Sequence, residues 1–236
     1  DPKDVFFVSR KLDGVPVRFR KLSGRIIPVS RQNEIITSLD NFTHFADRML
    51  DEGGSFVGEL YIEGVPFKDI GGYVNRKVPD ADTRRLVLNV FDFDVYNMPS
   101  VAYADRWEAF RERLSEYPQA YPVNGATVPV RLVPHFVSHG PAAVMNAFNA
   151  IMKQYPNAEG AIAHNVKKPF QPGTRRWDTM KIKPHEDIDL WVIGYEEAVD
   201  KYGRPKNMVG GINVRVGARR SNEEVTLTES KIGRGR

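Results

Sequence analysis

Residues 5–29 read VFFVSRKLDGVPVRFRKLSGRIIPV, and this stretch indicates what kind of fold the chain adopts. It contains three apolar runs, Val-Phe-Phe-Val, Val-Pro-Val-Arg-Phe-Arg and Ile-Ile-Pro-Val, which have the composition of β-strands. Gly14 and the pair Ser23-Gly24 separate the runs as turns. We therefore predict a set of antiparallel strands, with Lys11 at the first junction between a strand and a turn.

The composition limits the chemistry that is possible. The chain has 236 residues and no cysteine, which excludes disulfides, thiolate nucleophiles and thiolate metal sites. Covalent catalysis would then need lysine, serine, threonine, histidine or a carboxylate. The formal charge of +4 suits a polyanionic partner without requiring one. The sequence shows neither a secretory leader nor an apolar run of membrane-spanning length, so we expect an intracellular protein of the cytoplasm.

The same periodicities predict the remaining elements. Strands are expected at 56–62, 86–96 and 159–163, and the second of these should lie in the centre of a sheet because it is rich in β-branched and aromatic residues. Helices are expected at 40–50, after Asp40 as the capping residue, and at 103–114 and 141–155. Polarity rises at 183–187, and short apolar runs separated by glycines follow. We place a domain boundary there, between a first domain at 1–184 and a small β-barrel at 185–236.

Lys11 is the first candidate for chemistry. In Lys11-Leu-Asp13-Gly14 the amine could attack phosphorus once it has lost its proton. Asp-Gly is also a common hairpin turn, so this tetrapeptide alone favours an ordinary turn. Its interpretation depends on the residues that accompany it.

Four further features accompany Lys11. Glu59 and Glu159 stand at strand ends, where a carboxylate can hold a ribose hydroxyl or a metal, or can simply be a solvated charge. Phe91 could stack on a purine or pack in the core. Lys181 and Lys183 alternate with apolar residues, so both should point to one face, either beside a phosphate group or along an exposed edge strand.

In this order, these pieces resemble the motifs of the covalent nucleotidyltransferase superfamily, and in particular the ATP-dependent DNA ligases of the compact bacteriophage type. The similarity runs from about residue 8 to about residue 216. Its pieces are Lys11-Leu-Asp-Gly, Ser30-Arg31, Val57-Gly-Glu59-Leu, Val90-Phe-Asp-Phe-Asp, and the stretch 159–184. The last piece is the most specific, because its Glu-Gly, Pro-Gly-x-Arg and Met-Lys-Ile-Lys-Pro segments keep the family's spacing.

The resemblance implies an α+β fold. Its first domain would be an antiparallel-sheet nucleotidyltransferase domain of ATP-grasp-like type, and its second a short or incomplete OB-type β-barrel. It also implies that Lys11 takes AMP from ATP and releases pyrophosphate. The AMP then passes to a 5′-phosphate, and a 3′-hydroxyl displaces it to seal a nick in duplex DNA, as DNA replication and repair require.

The resemblance also assigns roles to individual residues. Lys181 and Lys183 would neutralise the α-phosphate, and Mg²⁺ would be bound by Glu159 and Asp13. The rest of the nucleotide would contact Glu59 at the ribose, Phe91 at the adenine, and Arg31. The family usually has an arginine at the position of Pro16, and Arg18, on the same face of an extended strand, is expected to replace it.

Basic residues near the last motif are candidates for contacts with nucleic acid. They are Lys167, Lys168, Arg175 and Arg176, which could follow a phosphate backbone, although Lys167 and Lys168 would equally suit a solvated loop. The expected partner is nicked duplex DNA, bound by a monomer whose two domains close around it.

Two other functions remain open. An RNA ligase or a GTP-using capping guanylyltransferase would share the same lysine chemistry. A basic nucleic-acid-binding module without activity would share only the charge. The Pro-Gly-x-Arg segment and the following Asp-Leu-Trp-Val-Ile-Gly favour a DNA ligase.

Overall fold

The computed structural model describes residues 3–94, 96–116, 120–123, 126–174, 176–184, 190–216 and 229–233. The chain forms two compact units, Asp1–Pro184 and His185–Arg236. Helices occur together with sheets whose strands are mostly antiparallel, which confirms the α+β class.

The elements of the first unit alternate between strands and helices along the chain. Its strands are β1 (Val5–Arg10), β2 (Val15–Leu22), β3 (Arg25–Val29), β4 (Ser55–Tyr61), β5 (Val87–Asp94), β6 (Ala120–Val123), β7 (Ala126–Leu132), β8 (His135–His139), β9 (Ala161–Asn165) and β10 (Thr179–Ile182). Its helices are α1 (Asp40–Met49), α2 (Phe67–Val74), α3 (Tyr103–Ser115) and α4 (Gly140–Gln154).

The larger sheet of this unit has the strand order β3-β2-β4-β5-β7-β6. Its neighbours are antiparallel except β5 and β7, which are parallel. Residues of α1, α2 and α3 pack with the sheet into one apolar core, whose largest side chains are Phe19, Phe42, Phe56, Phe93 and Phe110. Each such fully buried phenylalanine contributes roughly 1.5–3 kcal/mol. β5 lies inside the sheet, as the residues at 86–96 predict.

The smaller sheet has the order β10-β9-β1-β8 and is antiparallel throughout. Helix α4 packs against it, and Phe6, Val8, Val144 and Phe148 belong to the second apolar core that results. The two cores are separate, so the first unit consists of two layered halves.

The pairing of β1 differs from the prediction. The sequence predicts that β1, β2 and β3 are neighbouring antiparallel strands, and this is confirmed only for β2 and β3. β1 instead pairs with β8 and β9, which lie more distant along the chain. The chain therefore leaves one sheet after Arg10 and enters the other at Val15, so Asp13-Gly14 is not the turn of a hairpin.

The predicted helices are confirmed as α1, α3 and α4, each within two residues at either end. The predicted role of Asp40 is wrong, because Leu39 is the N-cap residue and Asp40 is the first residue of the helix. The Asp40 carboxylate accepts a hydrogen bond from the Asn41 backbone N–H at 2.9 Å. Helix α2 was not predicted, because the adjacent Gly71 and Gly72 weaken its helical signal.

The second unit is an antiparallel sheet of β11 (Leu190–Val199), β12 (Pro205–Val216) and β13 (Glu229–Gly233), in that order. Register shifts interrupt the pairing of β11 with β12 at three places. The described residues of this unit do not close into a barrel, and its identity as an OB domain stays a prediction. Across the described parts of the chain, no helix is both long and apolar enough to cross a membrane.

Candidate active site

Lys11 lies where the chain passes from the smaller sheet to the larger one. Its backbone N–H donates to the Gly160 carbonyl at 2.9 Å, which continues the pairing of β1 with β9 by one residue. The chain enters the larger sheet just after Gly14, where a Cβ would lie 2.3 Å from the Leu60 carbonyl oxygen. Only glycine therefore fits at this position. Backbone contacts on both sides therefore fix the position of Lys11 between the two sheets.

A pocket of about 390 Å³ opens between the two sheets. This volume is within the range of small-molecule sites. Of the residues that the sequence singles out, Lys11, Arg18, Arg31, Glu59, Phe91, Lys168 and Lys181 line it. These side chains come from separate strands and loops, and the fold brings them to one place.

Glu159 links Lys11 to a second lysine. Its Oε2 forms an ion pair with Lys11 Nζ, and its Oε1 forms one with Lys183 Nζ at 2.7 Å. Partial burial raises the pKa of Glu159, but the hydrogen bonds from both ammonium groups outweigh it and hold that pKa below its ordinary value. The same contact raises the pKa of Lys183. In this arrangement one carboxylate neutralises part of the charge of two neighbouring lysines.

Gly160, beside Glu159, has a backbone conformation that favours glycine. Its φ is +143°, and a Cβ at this position would lie 2.1 Å from the Ile182 carbonyl oxygen. Strands β9 and β10 therefore approach each other closely at this point. The Glu-Gly pair of the sequence is thus explained by geometry, because glycine lets the strand carrying Lys181 come beside Glu159.

Glu59 lies in β4 on the pocket wall, with its carboxylate largely removed from water. Burial raises the pKa of Glu59 to about 7, although the charges of Lys11 and Arg31 and a hydrogen bond from the Gly14 backbone act against it. The carboxyl group is therefore about half protonated near pH 7 and can donate or accept a hydrogen bond.

Phe91 reaches the pocket because of a β-bulge. The register of β4 against β5 shifts between Val57 and Gly58, so Phe91 is the extra residue of β5. Phe91 and Asp92 consequently both line the pocket, while Phe93 remains in the core. The Phe91 ring is parallel to the His164 ring within 11°, at 6.4 Å between centroids. Burial, and then the charges of Lys168 and Arg106, hold the pKa of His164 well below its ordinary value.

Arg18 and Arg31 stand on the same pocket as Pro16. The Arg18 Nε and Nη2 donate to the Ser55 Oγ at 3.3 and 3.1 Å, and its guanidinium lies 5.6 Å from the centroid of the Phe170 ring. Burial lowers the pKa of Arg18. Arg31 is exposed at the rim, in a turn where the Ser30 hydroxyl accepts from the backbone N–H of Glu34 at 3.2 Å. Arg18 thus lies in the pocket that Pro16 also lines, as its place on the same strand face predicts.

No family model matches the chain. A curated DNA ligase of African swine fever virus is 24% identical over 202 residues, which cover 80% of this chain and 44% of the relative. The chain thus spans less than half of that relative's length. A solved structure from a structure–function study of Lig E DNA ligases superposes with a TM-score of 0.65 at 21% identity, covering 98% of this chain and 77% of its own. The ATP-dependent DNA ligase of bacteriophage T7, solved with ATP, superposes with a TM-score of 0.61 at 16% identity, covering 96% and 74%.

The fold is that of the DNA ligases. In this ligase fold the pocket is formed by the first unit, from strands of its two sheets and from the loops that join them.

The predicted contact of Lys168 with nucleic acid is wrong. Lys168 is only 8% exposed, and its Nζ forms an ion pair with Asp92 at 2.5 Å. Arg106 pairs with the other oxygen of Asp92 at 2.7 Å. A buried ammonium that is paired in this way is not available to a phosphate backbone. Lys168 instead belongs to a buried charge cluster with Asp92 and Arg106 on the pocket wall.

The other residues predicted to contact nucleic acid differ in their exposure and in their ion pairing. Lys167 is exposed. Arg176 is half-exposed and donates to Asp178 and to the Gln171 Oε1, each at 2.6 Å, so part of its charge is neutralised. Arg175 lies outside the described residues.

The two carboxylates expected to bind Mg²⁺ are Glu159 and Asp13. Asp13 is exposed and is not among the residues that line the pocket. Among the described residues, no cluster of three His, Asp or Glu side chains could hold a metal by itself. Mg²⁺ often takes only one or two protein carboxylates together with substrate phosphates and water, and Glu159 with Asp13 fits that number.

Arg10 is a pocket residue that the sequence did not single out. Its guanidinium donates to both oxygens of Glu63, at 2.8 and 2.9 Å, and to the Tyr61 hydroxyl at 3.1 Å. It also lies 4.3 Å from the centroid of the Tyr155 ring. Because Arg10 ends β1 while Tyr61 ends β4, this contact joins the two sheets next to Lys11. The only sequence signal was its position beside the lysine.

Proposed function

We propose that this chain is the nucleotidyltransferase part of an ATP-dependent DNA ligase, with Lys11 as the residue that becomes attached to AMP. One observation carries this proposal. The fold gathers Lys11, Glu59, Phe91 and Lys181 around a single pocket, with Glu159 bonded to Lys11 beside it. The structural likeness to DNA ligases supports the same conclusion.

The first step joins Lys11 to the nucleotide. The Lys11 ammonium must lose a proton before its lone pair can attack the α-phosphorus of ATP, and Glu159 Oε2 is the carboxylate oxygen that it contacts. A nitrogen–phosphorus bond then forms, the bond to the bridging oxygen breaks, and pyrophosphate leaves. Charge that develops on the α-phosphate is stabilised by Lys181, which lines the pocket, and by Lys183.

The remaining pocket residues hold the nucleoside and the phosphates. Phe91 stacks on adenine, since its ring lies on the pocket wall next to the parallel His164 ring. Glu59 binds the ribose hydroxyls, for which a half-protonated carboxyl group is suitable as donor and acceptor. Arg18 and Arg31 contact phosphate oxygens at the open side.

Mg²⁺ bound by Glu159, together with Asp13 and phosphate oxygens, would offset negative charge on the phosphates and the leaving group. Glu159 and Asp13 would supply only part of its ligands, and phosphate oxygens and water would supply the rest.

In the later steps AMP passes from Lys11 to the 5′-phosphate at a nick. The phosphorus–nitrogen bond breaks, a phosphoanhydride forms, and Lys11 is released. The 3′-hydroxyl then attacks the 5′-phosphate and expels AMP, which seals the strand. Lys167 and the partly neutralised Arg176 are the described basic residues that we assign to the DNA backbone, and the protein acts on it as a monomer.

Intact-mass measurement with and without ATP and Mg²⁺ tests the first step. The expected result is a gain of one AMP that disappears in Lys11→Ala and persists in Lys21→Ala, whose lysine pairs with Asp47 outside the pocket. Labelling by GTP and not by ATP would favour a capping guanylyltransferase. No adduct from either nucleotide would favour a binding module without activity.

Sealing assays separate a DNA ligase from an RNA ligase. A nicked duplex with two DNA strands at the break should be joined, with AMP as product, and Lys11→Ala should be inactive. If only a break flanked by RNA is joined, the DNA ligase assignment is wrong while the lysine chemistry stands.

A further inference from the structure

Trp177 differs from every other large apolar side chain described in this protein. It is 98% exposed, whereas tryptophan is a residue that folded proteins usually bury to a large extent. An indole left in water forgoes the stabilisation of burial, which a binding partner would restore.

The loop that carries Trp177 is held in place on both sides of it. Arg176 and Asp178 form an ion pair with each other at 2.6 Å, which closes the loop around the intervening residue. Arg176 also donates to the Gln171 side chain at 2.6 Å, and the Thr174 hydroxyl donates to the Gln171 carbonyl at 2.8 Å. The Asp178 carbonyl accepts from Asn165 in β9 at 2.8 Å. Trp177 is thus presented by a braced loop.

The same loop forms part of the pocket wall. Gln171, Pro172, Gly173 and Thr174 line the pocket, and so does Thr179, two residues after Trp177. Anything bound at the open side of the pocket therefore meets the loop that carries the indole. Trp177 itself does not line the pocket, so the nucleotide is not its partner.

The surroundings of Trp177 fit a nucleic acid. Residues 159–184 contain six lysines and arginines against two acidic residues, and Lys168, Arg176 and Lys183 among them are paired with carboxylates. The remaining residues of the loop at 171–178 are polar or charged, apart from one glycine and one proline. A protein interface would need about 1,000 Å² with an apolar centre, which this loop does not offer. Base stacking needs only one flat aromatic face and nearby cations.

We propose that the indole of Trp177 stacks on a nucleobase at the strand break that lies at the mouth of the pocket. This proposal rests on the proposed ligase function, because the break must be brought to Lys11. At a nick two stacked bases lack a backbone link, so one of them is more easily unstacked than in intact duplex, and the contact favours broken DNA over intact DNA.

Binding of adenylylated protein to dye-labelled DNA tests this contact. The parent, Trp177→Ala, Trp177→Phe and the control Phe67→Ala are each charged with AMP, checked by mass and by thermal unfolding, and titrated by anisotropy. Phe67 is 52% exposed on α2 and does not line the pocket, so its replacement controls for loss of an exposed aromatic ring. The two probes are a nicked duplex with a 5′-phosphate and the same duplex without the nick.

We expect Trp177→Ala to weaken binding of the nicked duplex by roughly 5- to 150-fold, the range measured for loss of one stacked aromatic. Trp177→Phe should retain most of the affinity, Phe67→Ala all of it, and intact duplex should be affected less. Nicked DNA should also quench the indole emission of the parent, and Trp177→Phe should remove that quenching, although Trp107 and Trp191 remain.

Three results would overturn the role of Trp177. They are unchanged binding in Trp177→Ala, equal losses for nicked and intact duplex, and quenching that persists in Trp177→Phe. These results leave the proposed function intact if the parent carries AMP and binds the nick. A parent that gains no AMP would refute the ligase function and this inference together.

Discussion

Replacing Glu59 by glutamine is expected to stabilise the protein at high pH and to have little effect at low pH. Burial raises the pKa of this carboxyl group from its ordinary value of 4.5 to about 7. When folding raises the pKa of a carboxyl group, the folded state binds the proton more tightly than the unfolded state does. The free energy of unfolding therefore falls as the pH rises from 4.5 through 7, because the ionised carboxylate is kept from water.

The size of the effect follows from the two pKa values. Each pKa unit corresponds to about 1.36 kcal/mol, so full ionisation of Glu59 lowers the free energy of unfolding by about 3 kcal/mol. Between pH 5 and pH 8 the cost grows by about 2.5 kcal/mol. Glutamine has nearly the same shape, can still accept the hydrogen bond from Gly14, and carries no charge at either pH.

Urea denaturation of the nucleotide-free protein at pH 5 and pH 8 measures this difference. Glu59→Gln should gain about 2–3 kcal/mol at pH 8 and only about 1 kcal/mol or less at pH 5. The exposed Glu34→Gln serves as the control, with the same change at both pH values. An equal effect of Glu59→Gln at the two pH values would refute the desolvation of this carboxylate.

Three further substitutions test the contacts around the pocket. Lys168→Met should lower the free energy of unfolding by about 3 kcal/mol, measured by urea denaturation, because it leaves a buried oxygen of Asp92 without its cation. Gly160→Ala should cost about 3 kcal/mol and reduce AMP transfer to Lys11, since the new Cβ would force β9 and β10 apart. Glu159→Gln should cost about 1 kcal/mol at pH 7, and the difference should vanish as the pH falls through the lowered pKa of Glu159, because the carboxylate is then protonated.

Matched controls distinguish these effects from general damage. Lys167→Met changes the exposed neighbour of Lys168 and should leave the stability within about 0.5 kcal/mol. Gly24→Ala also alters a glycine with positive φ, at +71°, but its Cβ would meet nothing within 4 Å, so only backbone strain of about 1 kcal/mol is expected. A Lys168→Met protein as stable as its Lys167→Met control would contradict the buried ion pair. Equal losses in both glycine variants would contradict the close approach of β9 and β10.

Sequence patterns predicted individual elements better than their partners. β-Branched and aromatic composition identified β5 as a central strand, and helical spacing located α3 because it reports which residues share a face. Alternation does not specify which strand pairs with which, so the pairing of β1 with β8 and β9 was not predictable. This pairing decides the site, since it turns an apparent hairpin at Asp13-Gly14 into a crossing between sheets.

Two side chains show why local pattern was insufficient at the site. The alternation of β5 allows either Phe91 or Asp92 to face the pocket, and only the bulge opposite Val57 allows both to do so. Lys167 and Lys168 are identical neighbours in a turn, and no periodicity distinguishes the exposed one from the buried one. The partner of Lys168 is Asp92, which is 76 residues away in the sequence.

The crossing between the sheets also explains why Lys11 is accompanied by so many charges. A lysine at the end of one strand would ordinarily meet water, but here it meets the ends of β4 and β9, each with a carboxylate. Glu59 is desolvated and about half protonated, whereas Glu159 remains ionised because Lys11 and Lys183 both bind it. The two carboxylates therefore differ in charge near pH 7, which lets one hold neutral hydroxyl groups while the other balances cations. Under the proposed function, phosphate oxygens at Lys183 would compete with Glu159, so we expect nucleotide binding and release of Glu159 from the two lysines to be coupled.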